Sequence, residues 1–165
     1  MDENMEENKD AGIRFDTRAE LETHFRECLG RSMSTLKMFD PDFTVFPLGM
    51  SDVDAALRHF LAGGGAIQLA MHQTDHIERQ YPRFVRLLKD YGHKIECRVT
   101  NRSLRHLTDS FCIGDGVHIV RRFHCDHMRG EAAFAAPAAT EISLERFAGI
   151  WAESVSGLHA TTTGL

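Results

Sequence analysis

Apolar residues recur every three or four positions in some stretches of the chain and every second position in others. The first spacing predicts amphipathic helices and the second predicts half-buried strands. Four helices are predicted in this way, over 17–30, between Ser51 and Gly63, between Pro82 and Gly92, and over 138–155. The predicted strands cover 34–39, 66–71, 94–99, 111–113, 117–120 and 131–135.

Local signals mark the ends of several of these elements. Thr17 and Glu20 form a capping-box pair, in which each side chain satisfies a backbone donor of the other residue. The run Gly63-Gly64-Gly65 ends the second helix, and Pro82 opens the third at a position where a missing N–H costs nothing. Asp115-Gly116 stands between two short apolar runs and predicts a β-hairpin.

The order of the elements indicates the fold class. From residue 34 to residue 99 the order is strand, helix, strand, helix, strand, which is typical of a parallel sheet with crossover helices. We therefore predict an α/β sandwich with a mixed, mostly parallel sheet and an extra N-terminal helix. The predicted domain spans 17–155, preceded by a disordered acidic leader over 1–16 and followed by a flexible tail over 156–165.

Composition narrows the class of protein. A chain of 165 residues with 42% hydrophobic and 26% charged residues is the size and type of one globular domain. The net charge of −5 argues against a protein that coats nucleic acid, and no apolar run is long enough to cross a membrane. The acidic N-terminus has no apolar signal region, and the four cysteines show no CxxC spacing. We expect reduced thiols and a cytoplasmic protein.

Ten histidines raise the possibility of a metal site. His72 and His76 are spaced for one face of a helix, but the general-base glutamate of a His-Glu-x-x-His metalloprotease motif is missing. A second cluster surrounds the hairpin and its following loop, and its members are His118, His124, Cys125, Asp126 and His127. Without a paired CxxC or HxxxH beside it, a polar loop tip is favoured over a metal site. We predict no metal and no cofactor.

Arginines and lysines are concentrated in the middle of the chain, where they offer possible anion contacts. Arg79, Arg83 and Arg86 fall opposite the apolar stripe of the third helix, as on an ordinary solvated helix face. Arg121 and Arg122 differ because they end a predicted strand, where guanidinium groups are well placed to hold an anion. A pairing of these arginines with Asp109 or Asp115 explains them equally well.

The order and spacing of elements over 34–155 resemble one half of a phospholipase D-like enzyme. More closely, the chain resembles a small bacterial family of stand-alone phospholipase D-like domains of unknown function. The segments that carry this second resemblance are Pro82-Arg83, Asp109 to Asp115, Arg121-Arg122, Arg129-Gly130-Glu131 and Phe147 to Ser154. Some members of that family are joined to an acetyltransferase domain, to which nothing in this chain corresponds.

The resemblance implies a motif, His-x-Lys followed by four residues and Asp, in which histidine attacks phosphorus and lysine neutralises the oxyanion. With Asp115 as the aspartate, Thr108 takes the place of the histidine and Ser110 that of the lysine. A frame that starts at His106 fails too, because it puts Thr108 at the lysine and Ile113 at the aspartate. The resemblance thus implies the fold and argues against the family's reaction.

These observations lead to a leading hypothesis and two alternatives. The leading hypothesis is a non-catalytic binding or regulatory module that holds a protein partner or a small anionic ligand. The residues assigned to its cleft are Thr108, Ser110, Asp115, Arg121 and Arg122. One alternative is a phosphodiesterase or nuclease with a site rebuilt around Asp115, Arg122 and a histidine from 118–127, and the other is a purely structural subunit. Because single-half relatives complete their cleft by pairing two subunits, the resemblance also implies a homodimer.

Overall fold

A computed structural model describes residues 12–159, so most of the predicted leader and the end of the predicted tail lie outside the described residues. The five α-helices are α1 Arg18–Arg31, α2 Ser51–Ala62, α3 Asp75–Gln80, α4 Pro82–Asp90 and α5 Pro137–Ala152. The eight strands are β1 Ile13–Phe15, β2 Thr35–Phe39, β3 Ala66–Met71, β4 Ile95–Thr100, β5 Ser110–Gly114, β6 His118–Arg122, β7 Gly130–Ala133 and β8 Ser154–Ser156.

The strands form one sheet in the order β1-β7-β6-β5-β2-β3-β4-β8. The prediction of parallel pairing is confirmed for β2 with β3 and for β3 with β4, which are joined by helical crossovers. The other five of the seven strand pairs are antiparallel. The mixed α/β class is therefore confirmed, but the expectation of a mostly parallel sheet is wrong. Only the three strands joined by crossovers, β2, β3 and β4, pair in parallel. Each of the other strands, β1, β5, β6, β7 and β8, pairs antiparallel with its neighbours.

Two apolar layers cover the two faces of the sheet. One layer contains the buried faces of α1, α2 and α4, including Leu21, Leu57 and Phe84. The other layer lies under α5, where Phe147 and Ile150 pack against Phe39, Phe111 and Ile113 of the strands. The side chains of each strand alternate between these layers, which is the pattern expected of a sheet covered on both sides.

The cap of α1 and the hairpin turn lie where they were predicted. The hydroxyl of Thr17 accepts the backbone N–H of Glu20 at 3.2 Å, so Thr17 caps α1, whereas the carboxylate of Glu20 accepts the Thr17 hydroxyl at 2.8 Å instead of a backbone N–H. Asp115 and Gly116 both have positive φ angles, 54° and 71°, in the turn between β5 and β6. Aspartate and glycine tolerate this left-handed conformation better than most residues, which explains why the hairpin turns there.

Both edges of the sheet extend beyond the predicted domain. β1 lies within the segment predicted as a leader, and its Phe15 is buried against the sheet. The helix predicted to reach residue 155 ends at Ala152 as α5, and the chain then enters β8, which pairs with β4. These strands are three residues long and carry little local signal, since their partners β7 and β4 are distant in sequence.

None of the helices within residues 12–159 is long and apolar enough to span a lipid bilayer.

Candidate functional site

A shallow cavity opens between helix α5 and the open end of the β5–β6 hairpin, where β5 begins and β6 ends. It has a volume of about 310 Å³ and is lined by Leu107, Phe123 and six polar residues, His106, Thr108, Asp109, Arg121, Arg122 and Arg146. Thr108 comes just before β5, and Arg121 and Arg122 end β6, so hairpin pairing brings the two segments together. We call this the arginine cavity.

Beneath the arginine cavity lies a buried polar cluster of Asp40, Ser110 and Arg122. The Ser110 hydroxyl donates to Asp40 Oδ1 at 2.7 Å, and Arg122 Nη2 lies 3.1 Å from Ser110 Oγ and 3.5 Å from Asp40 Oδ1. Asp40 and Ser110 are fully buried and Arg122 is 5% exposed. Burying an ion pair costs desolvation free energy unless both charges have hydrogen-bond partners. Such a cluster is therefore retained for a specific function or because the fold depends on it.

Arg122 keeps unused hydrogen-bonding capacity in this cluster. Ser110 and Asp40 engage only its Nη2, and the buried Nε has no hydrogen-bond partner among residues 12–159. A guanidinium carries five N–H donors in a fixed plane, and buried donors are nearly always paired in folded proteins. Arg122 is therefore a buried cation among the residues that line the cavity, and its Nε has no partner among residues 12–159.

The carboxyl group of Asp40 is electrostatically unusual. Burial raises its pKa, and the Ser110 hydroxyl, the charge of Arg122 and the N–H groups of Phe43 and Asp42 oppose this effect in part. The net result is a pKa of about 6 instead of the ordinary 3.8. Shifts of this size are frequent at functional sites, although structural ion pairs produce them too.

Arg146 and Asp109 form a bidentate ion pair at the rim of the arginine cavity. Arg146 Nη2 donates to Asp109 Oδ1 at 2.9 Å, and Nη1 donates to the other carboxylate oxygen. On the opposite side Arg121 donates from Nε to Glu131 at 3.2 Å and lies over the ring of Phe123. Carboxylates thus partly neutralise the two outer arginines, and Arg122 is the buried cation of the group.

A histidine holds the segment that leads into β5. One ring nitrogen of His72, Nδ1, lies 2.5 Å from the Thr100 hydroxyl, and the other, Nε2, lies 2.7 Å from the Leu107 carbonyl oxygen. A carbonyl can only accept, so Nε2 carries the proton and donates to it. His72 therefore fixes the backbone next to Thr108, and the structure shows a positioning contact for a residue whose spacing from His76 raised the possibility of a metal site. His76 packs edge-on against Tyr81 instead.

Asp115 is distant from the arginine cavity. Its carboxylate accepts the backbone N–H groups of Met33, Ser34 and Thr35 at 2.7–3.1 Å, at the end of the hairpin opposite Ser110. Asp115 is five positions from Ser110, which corresponds to about 16 Å along an extended strand. Partial burial acts to raise its pKa, but the three N–H donors outweigh burial, so the pKa lies below the ordinary value.

Of the five residues assigned to the cleft from sequence, four lie together and one does not. Thr108, Arg121 and Arg122 line the arginine cavity and Ser110 lies directly beneath it, whereas Asp115 fastens the loop after α1. The structure therefore does not assemble a site from Asp115 and Arg122. Sequence reasoning missed Asp40 and Arg146, which are remote in sequence from the hairpin.

Asp40 had one usable signal, since it directly follows β2, at the end of the sheet where the parallel strands finish. Side chains at that edge often form sites in α/β folds.

The loop between β6 and β7 brings His124, Cys125 and Asp126 together. One ligand atom from each lies within 4.8 Å of the others. The Nδ1 atoms of His124 and His127 accept backbone N–H groups from Asp126 and Arg129, both at 3.1 Å. These contacts describe a turn capped by its own side chains.

Comparison with known proteins agrees with this architecture. The family model described as "Domain of unknown function (DUF7931)" matches residues 17–159. Among curated proteins, no sequence matches the chain.

Solved structures of similar fold include two members of the phospholipase D family and one chromatin protein. Nuc from Salmonella typhimurium is 14% identical with a TM-score of 0.64, and the match covers 89% of this chain and 97% of Nuc. NucT from Helicobacter pylori is 10% identical with a TM-score of 0.60, covering 89% and 99%. TrmBL2, an archaeal chromatin protein with a novel mode of DNA binding, is 10% identical with a TM-score of 0.65. That match covers 88% of this chain and 54% of TrmBL2, so the chain spans about half of its length.

At these identities the likeness establishes the fold alone. The predicted likeness to a phospholipase D-like half is confirmed at that level.

Proposed function

The chain belongs to the DUF7931 family, and we propose that it is a non-catalytic, phospholipase D-like binding module whose arginine cavity holds an anionic group. The anionic group belongs to a small ligand or to a protein partner. The observation that carries the proposal is Arg122, a residue that is 5% exposed, lines the cavity and has a guanidinium Nε without an acceptor among residues 12–159.

The positive charge of Arg122 at the cavity attracts an oxyanion, and oxyanions are strong acceptors for guanidinium donors. Planar guanidinium groups match the two oxygens of a phosphate, sulfate or carboxylate, and hydrogen bonds between charged groups are the strong ones. Thr108 adds a hydroxyl at the same wall, and Arg121 adds a second cation that is shared with Glu131. The net charge of the chain is −5, which repels a long polyanion and favours a small anionic ligand that contacts only the cavity.

The same geometry argues against the phospholipase D reaction at the motif positions. Ser110, at the lysine position, is fully buried, donates its proton to Asp40 and carries no positive charge, so it cannot neutralise a phosphoryl oxyanion. Thr108, at the histidine position, borders the cavity, but no residue in the described part of the chain accepts its hydroxyl proton as a base would. A hydroxyl without an adjacent base is a poor nucleophile.

Titration calorimetry with sulfate and with phenyl phosphate tests the proposal. We expect the wild-type protein to bind both anions and Arg122→Met to bind at least tenfold more weakly, because charged hydrogen bonds contribute about 1.5–3 kcal/mol. Arg86→Met is the matched control, since Arg86 is exposed on α4 and remote from the cavity. Wild-type protein that binds neither anion contradicts the proposal.

Arg121→Met is a second variant that does not depend on Arg122. Removing Arg122 leaves the buried Asp40 without its cation, and this loss is able to unfold the protein. Arg121 is half-buried and pairs with Glu131, so its removal keeps the cluster intact. We expect a severalfold loss of affinity, with an unchanged circular dichroism spectrum.

A second candidate function is a phosphodiesterase, and one observation favours it. His106 lines the same cavity as Arg121, Arg122 and Arg146, so an imidazole and several cations meet there although the sequence motif is broken. Incubation with a chromogenic phosphodiester and with plasmid DNA, with and without divalent metals, separates the two functions. Turnover that is lost in His106→Ala supports the enzyme, and its absence in a protein that binds sulfate supports the module.

We also propose that the module works in the cytoplasm as a homodimer. Cys28, Cys97, Cys112 and Cys125 are all free thiols, as expected of a reducing compartment.

A dimer of single-half domains places two arginine cavities in one assembly. Light scattering coupled to size-exclusion chromatography measures the mass, and a monomer at all concentrations contradicts the dimer. Cell fractionation tests the location.

A further inference from the structure

Asp40 lies at the centre of the polar cluster beneath the arginine cavity. Its Oδ1 accepts the Ser110 hydroxyl at 2.7 Å and lies 3.5 Å from Arg122 Nη2. Its Oδ2 accepts the backbone N–H groups of Phe43 at 2.8 Å and Asp42 at 3.2 Å. Asp40 is fully buried and does not line the cavity, so a ligand cannot touch it.

We propose that Asp40 is a positioning residue that sets the anion affinity of the arginine cavity through its own charge. When ionised, Asp40 neutralises Arg122 and leaves little positive charge for a ligand. When protonated, it keeps its hydrogen bonds to the loop and leaves the charge of Arg122 free to attract an anion. This inference rests on the proposed function, since it concerns how the same cavity is regulated.

The groups around Asp40 make Arg122 its dominant charged partner. Arg122 from β6 and the neutral hydroxyl of Ser110 from β5 face it directly. Between α3 and α4, Tyr81 donates its hydroxyl to the carbonyl oxygens of Phe43 and Phe46, and burial raises the pKa of Tyr81 to about 12, so it stays neutral.

Two other titratable groups at this end of the sheet have partners of their own. The carboxylate of Asp42 accepts the N–H and the hydroxyl of Thr44. His72 is held by Thr100 and Leu107.

Proton linkage gives the direction of the effect. Burial, opposed by Ser110 and Arg122, places the pKa of Asp40 at about 6, so its charge changes within the physiological range. An anion near Arg122 favours the protonated form of Asp40, and binding therefore takes up a proton. By reciprocity the affinity for the anion falls as pH rises through this value.

Sulfate is a suitable probe because it remains a dianion throughout the range in which Asp40 titrates. We expect the affinity of the wild-type protein for sulfate to fall about tenfold between about pH 5 and about pH 8, which corresponds to one unit of pKa change on binding. Asp40→Asn is neutral at every pH, so its affinity should stay at the wild-type low-pH level throughout. Asp42→Asn is the matched control on the same loop, and it should keep the wild-type pH dependence.

His106 is the other titratable group to test, because it lines the cavity. His106→Gln should keep the pH dependence if Asp40 is its source. Ser110→Ala provides a second variant of the cluster. It removes a hydrogen bond that lowers the pKa of Asp40, so the midpoint of the affinity profile should move to higher pH.

The outcomes separate this inference from the proposed function. Sulfate binding that does not change with pH, or a pH dependence that survives in Asp40→Asn and disappears in His106→Gln, overturns the role of Asp40 and leaves the binding module intact. If Asp40→Asn does not fold, an unmoved midpoint in Ser110→Ala overturns it equally. A wild-type protein that binds no sulfate at any pH contradicts the module and this inference together.

Discussion

Asp115 is a structural anchor at the turn between β5 and β6. The resemblance to phospholipase D-like enzymes implies that Asp115 corresponds to the aspartate of their motif. In this structure its carboxylate accepts the backbone N–H groups of Met33, Ser34 and Thr35, at the start of β2. Its positive φ of 54° also suits an aspartate in the hairpin turn. The residue thus ties α1 to the hairpin, at the end of β5 remote from the arginine cavity.

Replacement of Asp115 should lower stability rather than anion affinity. We expect Asp115→Ala to lower the free energy of unfolding by about 2–4 kcal/mol, because several hydrogen bonds to a charged acceptor are lost. Asp115→Asn keeps one acceptor oxygen and the tolerance of positive φ, so the loss should be smaller. Urea unfolding measures both. An unchanged unfolding midpoint in Asp115→Ala would contradict the anchoring role.

The two unusual aspartates should give stability profiles of opposite sign. Asp115 has a folded-state pKa below its unfolded value, so its contribution is present above the unfolded value and lost as pH falls through the folded one. Asp40 has a raised folded-state pKa, so the folded protein loses stability as pH rises from about 4 to about 6. The size of the latter effect is about 3 kcal/mol.

Urea unfolding across this pH range tests the prediction for Asp40. In Asp40→Asn the fall in stability between about pH 4 and about pH 6 should disappear, while Asp42→Asn keeps it. A difference in stability between the wild-type protein and Asp40→Asn that stays constant through this interval would show that Asp40 does not titrate there.

Part of the site was accessible from sequence because hairpin pairing is local. Once Asp115-Gly116 marks the turn, Ser110 and Arg122 fall opposite each other, and opposite residues in an antiparallel pair point to the same face. Asp40 was not accessible in this way. It lies 82 residues from Arg122, and only the pairing of β2 with β5 brings them together.

The helices and inner strands follow from local pattern, and the edge strands do not. The run from β2 to β4 was predicted, apart from the short helix α3, because each of its other elements shows its own periodicity and its own terminator. β1 and β8 have three residues each, and their pairing partners, β7 and β4, are distant from them in sequence. The mostly antiparallel pairing escaped prediction for the same reason, since the position of β5 beside β2 is a long-range property.

The contact between α1 and β5 gives a test of element packing. A Cβ atom at Gly114 would overlap the Ser32 hydroxyl oxygen and approach Cys28 Sγ to 3.2 Å. We expect Gly114→Ala to reduce the free energy of unfolding by about 1–3 kcal/mol, as overpacking does. Gly149→Ala is the matched control in α5, where no atom lies within 4 Å, and it should stabilise the helix by about 0.5–1 kcal/mol. Thermal unfolding that is equal in both variants would contradict the packing described.

The molecule as a whole combines an acidic chain with one basic cavity. The net charge is −5, yet three arginines and a histidine line one cavity of about 310 Å³. Such an arrangement favours recognition of a small anionic group over binding to an extended polyanion, whose affinity depends on many cationic contacts. The fold agrees with that of Nuc, a phospholipase D family member. At the positions where the resemblance implies histidine and lysine, this sequence has the hydroxyl residues Thr108 and Ser110.

A crystal structure of the protein grown with tungstate tests the central claim most directly, because the heavy oxyanion is located without ambiguity. We expect a tungstate ion in the arginine cavity, hydrogen-bonded to Arg122 and not bonded to any histidine nitrogen. An ion bonded directly to the His106 imidazole would show a working nucleophile and contradict the account. An empty cavity in a crystal that holds tungstate elsewhere would contradict it as well.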